Sequence, residues 1–116
     1  MLTKVFRSFQ FALSGLITVW QEEENFRIET VSGLVVIFLT YYLNFSYVES
    51  SICVLVVVMV LCAEILNTAV EDICNKMEPH HDPIIGKIKD IMAGFVLVTC
   101  LGAVVIAYLV FRSHFL

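Results

Sequence analysis

The twelve residues from Ile52 to Ala63 are apolar without exception, and Glu64 follows them directly on what reads as the same helix. Two further stretches, about 28–47 and about 84–111, are also dominated by apolar and aromatic residues, while most charges crowd between the three. A chain of 116 residues that is 59% hydrophobic, with a mean hydropathy of +0.90, carries more apolar surface than a soluble domain of that size can hide. A bilayer can accept it, and a hydrocarbon core is crossed by about 20 apolar residues. Spans are therefore expected over about 28–47, 50–77 and 84–111. The second outlasts the membrane: at 1.5 Å per residue a helix from Glu49 to Met77 is roughly 43 Å long, so its last turns stand at or above the headgroups. Pro79 and Pro83 then break it.

Ahead of the spans, Leu2, Val5, Phe6, Phe9, Leu13, Leu16, Ile17 and Trp20 recur at three- and four-residue steps, opposite Lys4, Arg7, Ser14, Thr18 and Gln21. This is an amphipathic helix over about 2–22, suited to lie along the headgroups with its apolar side dipped into the acyl boundary. Its polar residues interrupt any signal-peptide core, so it is expected to remain in the mature protein. Lys4, Arg7, Arg27, Lys76, Lys87 and Lys89 thread to one side and Arg112 alone to the other, which makes the first side cytoplasmic. The expected fold is all-α and membrane-embedded, a surface helix plus three transmembrane helices in one domain over 1–116.

The same threading brings Glu22 to Glu24, Glu29, Glu64, Glu71 and Asp90 to the cytoplasmic side and leaves Glu49 outside. An unpaired carboxylate at the centre of a membrane helix costs about 2.5–3.5 kcal/mol on insertion scales. Glu64, nearer the helix end, still needs a reason. Asn67 and Glu71 lie three and seven residues on, so the three share a helix face, whereas Asp72 points elsewhere. Other residues have plainer readings. Cys53, Cys62, Cys74 and Cys100 form no C-x-x-C pair and read as apolar space-fillers. Glu78, His80, His81 and Asp82 lack the spacing of a zinc site and read as a polar turn. Trp20, Tyr41, Tyr42, Tyr47 and Tyr108 suit membrane interfaces, and Gly94, Gly102 and Ala103 allow close approach of another helix. A net charge of −4 gives no case for nucleic acid, and no phosphate loop or dinucleotide fingerprint is present.

The run Glu64-Ile-Leu-Asn67-Thr-Ala-Val-Glu71, followed after a short polar loop by Lys89-Asp90-Ile-Met-Ala-Gly94, closely resembles the signature of the prokaryotic diacylglycerol kinase family, which includes undecaprenol kinases. The upstream Glu23-Glu-Asn-Phe26-Arg27-Ile-Glu29 resembles the family's segment between surface helix and first span. The resemblance implies a homotrimeric kinase of the bacterial inner membrane that uses ATP and Mg²⁺ to phosphorylate a lipid alcohol. It implies Glu64 as general base for the lipid hydroxyl, with Asn67 also at the substrate, and Glu23 and Glu71 as Mg²⁺ ligands. Asn67, Lys89 and Asp90 would position the nucleotide, Glu29 would assist near the metal, and Lys4 and Arg7 would meet phosphates or headgroups. The Lys-Asp-Ile-x-Ala-Gly stretch looks closer to the undecaprenol-type branch. Asp82 departs from the family, many members having histidine there. A different class of protein remains as the alternative: a non-enzymatic membrane subunit whose Glu64 carries a proton or cation.

Overall fold

The computed structural model describes residues 1–77, 80 and 82–116. It is all-helical over the described residues: α1 spans Leu2–Glu22, α2 Glu24–Tyr42, α3 Tyr47–Met77 and α4 Pro83–Phe115. Among these, α3 and α4 are long and apolar enough to cross a membrane. Helix α2, with Glu24, Arg27 and Glu29 in its first two turns, does not meet the same measure.

The connections between the helices set the architecture. Helices α1 and α2 meet at Glu23, which has extended backbone angles and serves as C-cap of one and N-cap of the other. Two side chains hold this elbow. The Arg27 guanidinium donates through Nη1 to the carbonyls of Trp20 (2.6 Å) and Gln21 (3.1 Å), two of the last carbonyls of α1, which have no partner within the helix. Trp20 meets buried Phe26 edge to face, with ring centroids 6.5 Å apart.

The apolar stretch expected to run 28–47 is helical only as far as Tyr42. Asn44 takes a left-handed conformation (φ 57°), Phe45 N–H donates to the Thr40 carbonyl at 2.9 Å and Asn44 N–H to that of Tyr41 at 3.3 Å. These bonds close α2 in a Schellman motif, with asparagine where glycine is usual. A capping box opens α3 at once: Ser46 Oγ accepts from Glu49 N–H (3.1 Å) and Glu49 Oε1 accepts from Ser46 N–H (2.9 Å). His114 near the end of α4 packs onto this turn, its Nδ1 3.1 Å from Glu49 Oε1 and its Nε2 3.0 Å from the Leu43 carbonyl oxygen. Its ring lies 4.2 Å from that of Phe45, and Phe45, Cys53 and Val110 form a small core beneath.

Helix α4 is capped at its start. Asp82 is its N-cap, its carboxylate accepting from Ile84 N–H (2.9 Å) and Ile85 N–H (3.1 Å), with Pro83 at the first helical position. The aspartate that departs from the family pattern therefore has a local structural task. Glu78, Pro79 and His81, which belong to the same expected turn, lie outside the described residues.

Helix α3 is central, with α2 and α4 packed against it and α1 against α2. At Gly33 the α2 backbone comes so near α3 that an added Cβ would stand 2.6 Å from Val57 Cγ1. The four cysteines are free, Cys53 and Cys74 buried and Cys62 exposed. The chain exposes 8750 Å², against about 6,400 Å² for a compact soluble monomer of its 13.1 kDa mass. None of the most apolar stretch of α4 is buried within the chain. Lipid or further protein must cover that surface.

Candidate active site

Glu64 is the most deeply buried large side chain, with 2% of its surface exposed. One turn on, buried Thr68 donates its Oγ1 hydrogen back to the Glu64 carbonyl at 2.9 Å. A carboxylate so far from water needs polar partners. Asn67 supplies one, hydrogen-bonding to the Glu64 side chain, and its Nδ2 also reaches Glu71 Oε1 at a long 3.5 Å. An amide nitrogen carries two hydrogens, so one asparagine can bridge the buried acid and the more exposed one.

Glu23 enters from the elbow between α1 and α2. Burial comes first, and then the nearby carboxylates of Glu71, Asp72 and Glu22, in pushing its pKa above the usual carboxylate range. Asp72 therefore belongs to the surroundings of the site even though helix spacing turns it away from the Glu64 face. Glu23 stands on another element and comes within electrostatic reach of both faces.

Glu29 sits one helical turn and a half further along α2, within electrostatic reach of Glu64. It lies on the apolar side. Its Oε2 is buried without a hydrogen-bond partner, and the residue lines an open groove of about 280 Å³ between α2, α3 and α4. Gly33, Val57, Val60, Ala103 and Ala107 contribute to the groove walls. Val60 lies one turn before Glu64 on the same helix, so the groove approaches the buried acid from the apolar end.

Lys89 of α4 reaches the α3 stripe at Asn75, one turn beyond Glu71, with Nζ 2.6 Å from Asn75 Oδ1. Sequence reasoning missed Asn75, although it continues the series Glu64, Asn67, Glu71 at helical spacing. The chain thus gathers Glu23, Glu29, Glu64, Asn67 and Glu71, with Lys89 at their margin. It does not bring in Lys4, Arg7 or Asp90, which are exposed on α1 and α4.

No group of three or more histidine, cysteine, aspartate or glutamate side chains among the described residues is arranged as a metal cage. Two neighbouring carboxylates still fit Mg²⁺, which keeps several waters and is commonly held by one or two carboxylates together with substrate phosphates. Glu23 and Glu71 have that character.

Comparison with known proteins places the chain in a family. The family model for prokaryotic diacylglycerol kinase matches residues 10–111. The diacylglycerol kinase of Escherichia coli strain K12 is 26% identical over 113 residues, which is 97% of this chain and 93% of that protein. The undecaprenol kinase of Bacillus subtilis strain 168 is 28% identical over 110 residues, 95% of this chain and 89% of that protein. A diacylglycerol kinase of Synechocystis is 31% identical over 102 residues, 85% of this chain and 57% of that longer protein. With nearly its whole length matched and the signature carboxylates assembled around a buried glutamate, the chain belongs to the prokaryotic diacylglycerol kinase family and is a lipid kinase.

Proposed function

We propose that the protein transfers the γ-phosphoryl group of ATP to the hydroxyl of a membrane lipid alcohol, diacylglycerol or undecaprenol, at the cytoplasmic face of the bacterial inner membrane. The observation that carries this reading is the buried Glu64, linked through Asn67 to Glu71 and facing Glu23. Phosphoryl transfer needs a hydroxyl aligned with the phosphorus and neutralised phosphate charge, with little other chemistry for the protein to perform. Glu64 acts as general base, accepting the lipid hydroxyl's proton as the oxygen attacks, and Asn67 orients its carboxylate. Glu23 and Glu71 hold Mg²⁺, which when bound neutralises phosphate charge. Lys89 binds phosphate oxygens.

Glu29 takes a different role from the one its resemblance implied. Its buried oxygen in an apolar groove offers an acceptor to the lipid's polar end, and the groove suits a hydrocarbon chain. Lys4, Arg7 and Asp90 reach the nucleotide in a homotrimer, in which the surface left bare by a single chain is covered. A three-span topology, with α2 as the third, orients all these groups to the cytoplasm by the excess of basic residues on that side. A subunit that merely carries protons would use Glu64 and leave the Asn67 bridge and the Glu23 elbow without a purpose.

The test is purified protein in detergent with Mg-ATP and a panel of lipid alcohols. Phosphorylated lipid is expected, and its absence with every alcohol would sink the proposal. Glu64→Gln is expected to lose turnover while still binding Mg-ATP, and Glu71→Gln to raise the Mg²⁺ requirement. Full turnover in the first variant refutes the base assignment.

A further inference from the structure

Asn75 has no part in the signature that identifies the family here, yet its Oδ1 accepts from Lys89 Nζ at 2.6 Å across the α3–α4 pair. It stands eleven residues beyond Glu64 and four beyond Glu71, which at 3.6 residues per turn keeps it on the stripe that carries Glu64, Asn67 and Glu71. We propose that Asn75 is a positioning residue that holds the Lys89 ammonium on the line of the carboxylate stripe, ready for the phosphates of the nucleotide. This rests on the reading of Lys89 as a phosphate ligand.

The chemistry of the pair supports the assignment. An ammonium has three donors and no acceptor, so one bond to Asn75 leaves two hydrogens for phosphate oxygens. Lysine sits on a flexible four-carbon stem whose freedom is lost when a ligand immobilises it. A partner that fixes the stem beforehand moves that loss out of the binding step. Asn75 is exposed and buries no apolar group, so its removal takes away the acceptor with little effect on packing.

The experiment measures steady-state kinetics of the intact protein in detergent, varying ATP and lipid separately, for Asn75→Ala, Asn75→Asp, Lys89→Met and Asn75→Ala combined with Lys89→Met. Asn75→Ala is expected to raise the KM for ATP about fivefold to tenfold, the scale of one hydrogen bond. Its kcat and its KM for lipid are expected to stay within about twofold. Asn75→Asp keeps an acceptor at the same position and is expected to retain the parent KM for ATP. In the Lys89→Met background, Asn75→Ala is expected to add nothing. An unchanged KM for ATP in Asn75→Ala, with a raised one in Lys89→Met, overturns the role of Asn75 and leaves that of Lys89 standing. No effect of Lys89→Met overturns both. A loss that strikes ATP and lipid alike, or that persists in the double variant, identifies a structural defect and overturns the proposal.

Discussion

Replacing Arg27 by methionine tests whether the α1–α2 elbow is what presents Glu23. The side chain donates to two terminal carbonyls of α1, at 2.6 and 3.1 Å. A hydrogen bond from a charged group contributes about 1.5–3 kcal/mol when sheltered, and a cation at a helix C-terminus about 0.3–1 kcal/mol. Both bonds are solvent-accessible, which brings the total down to about 1–2 kcal/mol. Methionine keeps most of the aliphatic stem, so the loss falls on the polar bonds. If that free energy goes wholly into holding the elbow closed, the fraction of molecules with Glu23 facing Glu71 falls accordingly. The Mg²⁺ concentration for half-maximal activity then rises by up to about fivefold to thirtyfold, the full factor being reached where the closed elbow becomes the minor state. The assay is an Mg²⁺ titration of lipid phosphorylation at saturating ATP, with thermal unfolding in the same detergent as control. Arg27→Lys, which can reach one carbonyl with a single ammonium, should fall between. A variant that unfolds at lower temperature but titrates Mg²⁺ like the parent would refute the reasoning, because the clamp would then support the fold without orienting the acid.

Gly33→Ala forces its new methyl group against Val57 Cγ1, so the Val57 side chain or the α2–α3 pair must shift. A loss of about 1–3 kcal/mol is expected, read as a lower unfolding temperature in detergent. Ser46→Ala removes half of the capping box at the start of α3 and should cost about 1 kcal/mol, with little change in kcat because the turn lies about 27 Å along the helix from Glu64. Glu23 is expected to impose a pH dependence on Mg²⁺ binding. Its raised pKa means that the folded chain holds a proton there more tightly than the unfolded chain does. The metal-free fold therefore loses stability as pH rises from the ordinary carboxylate range through the raised value. Mg²⁺ must displace the same proton, so its apparent affinity climbs over that interval, and a Glu23→Gln variant should show a flatter profile by Mg²⁺ titration at several pH values.

Much of this was legible in the sequence because lipid and water sort residues by simple period. The apolar runs marked the helices, and the step from Glu64 to Asn67 to Glu71 marked a shared face without any coordinates. What was not legible depended on a second element. Asp72 points away from the Glu64 face on the wheel of its own helix, and its neighbour Glu23 is delivered only by the elbow. Arg27 counted as one more cytoplasmic charge, and nothing in its own sequence context reveals that its guanidinium caps the preceding helix. The end of α2 was obscured by the aromatic residues Phe45 and Tyr47, which keep the stretch apolar through the turn. A signal was nevertheless present in Ser46-x-x-Glu49, a capping box that announces a new helix. Glu29 could be ranked with the other acids from its position, but only the groove separates it from the water-side set.

The charges gathered by one chain argue that the site is finished by another. Glu23, Glu29, Glu64, Glu71 and Asp72 converge, Lys89 stands at their edge, and Lys4, Arg7 and Asp90 remain outside. Such a cluster repels a triphosphate until cations are added, and Mg²⁺ supplies only part of what is needed. The bare apolar surface of α4 shows that further contacts are required in any case. If Asp90 of one copy serves the Glu64 of another, Glu64→Gln and Asp90→Asn chains, each inactive alone, should complement when co-assembled. In a one-to-one mixture a site draws an intact Glu64 from half of the copies and an intact Asp90 from half. About one quarter of parental activity should then return, provided that the copies mix randomly in a closed ring. Separate assembly followed by mixing without subunit exchange is the control and should stay inactive. If co-assembled material is equally inactive, Glu64 and Asp90 act within one chain, and the single-chain geometry must rearrange to bring them together.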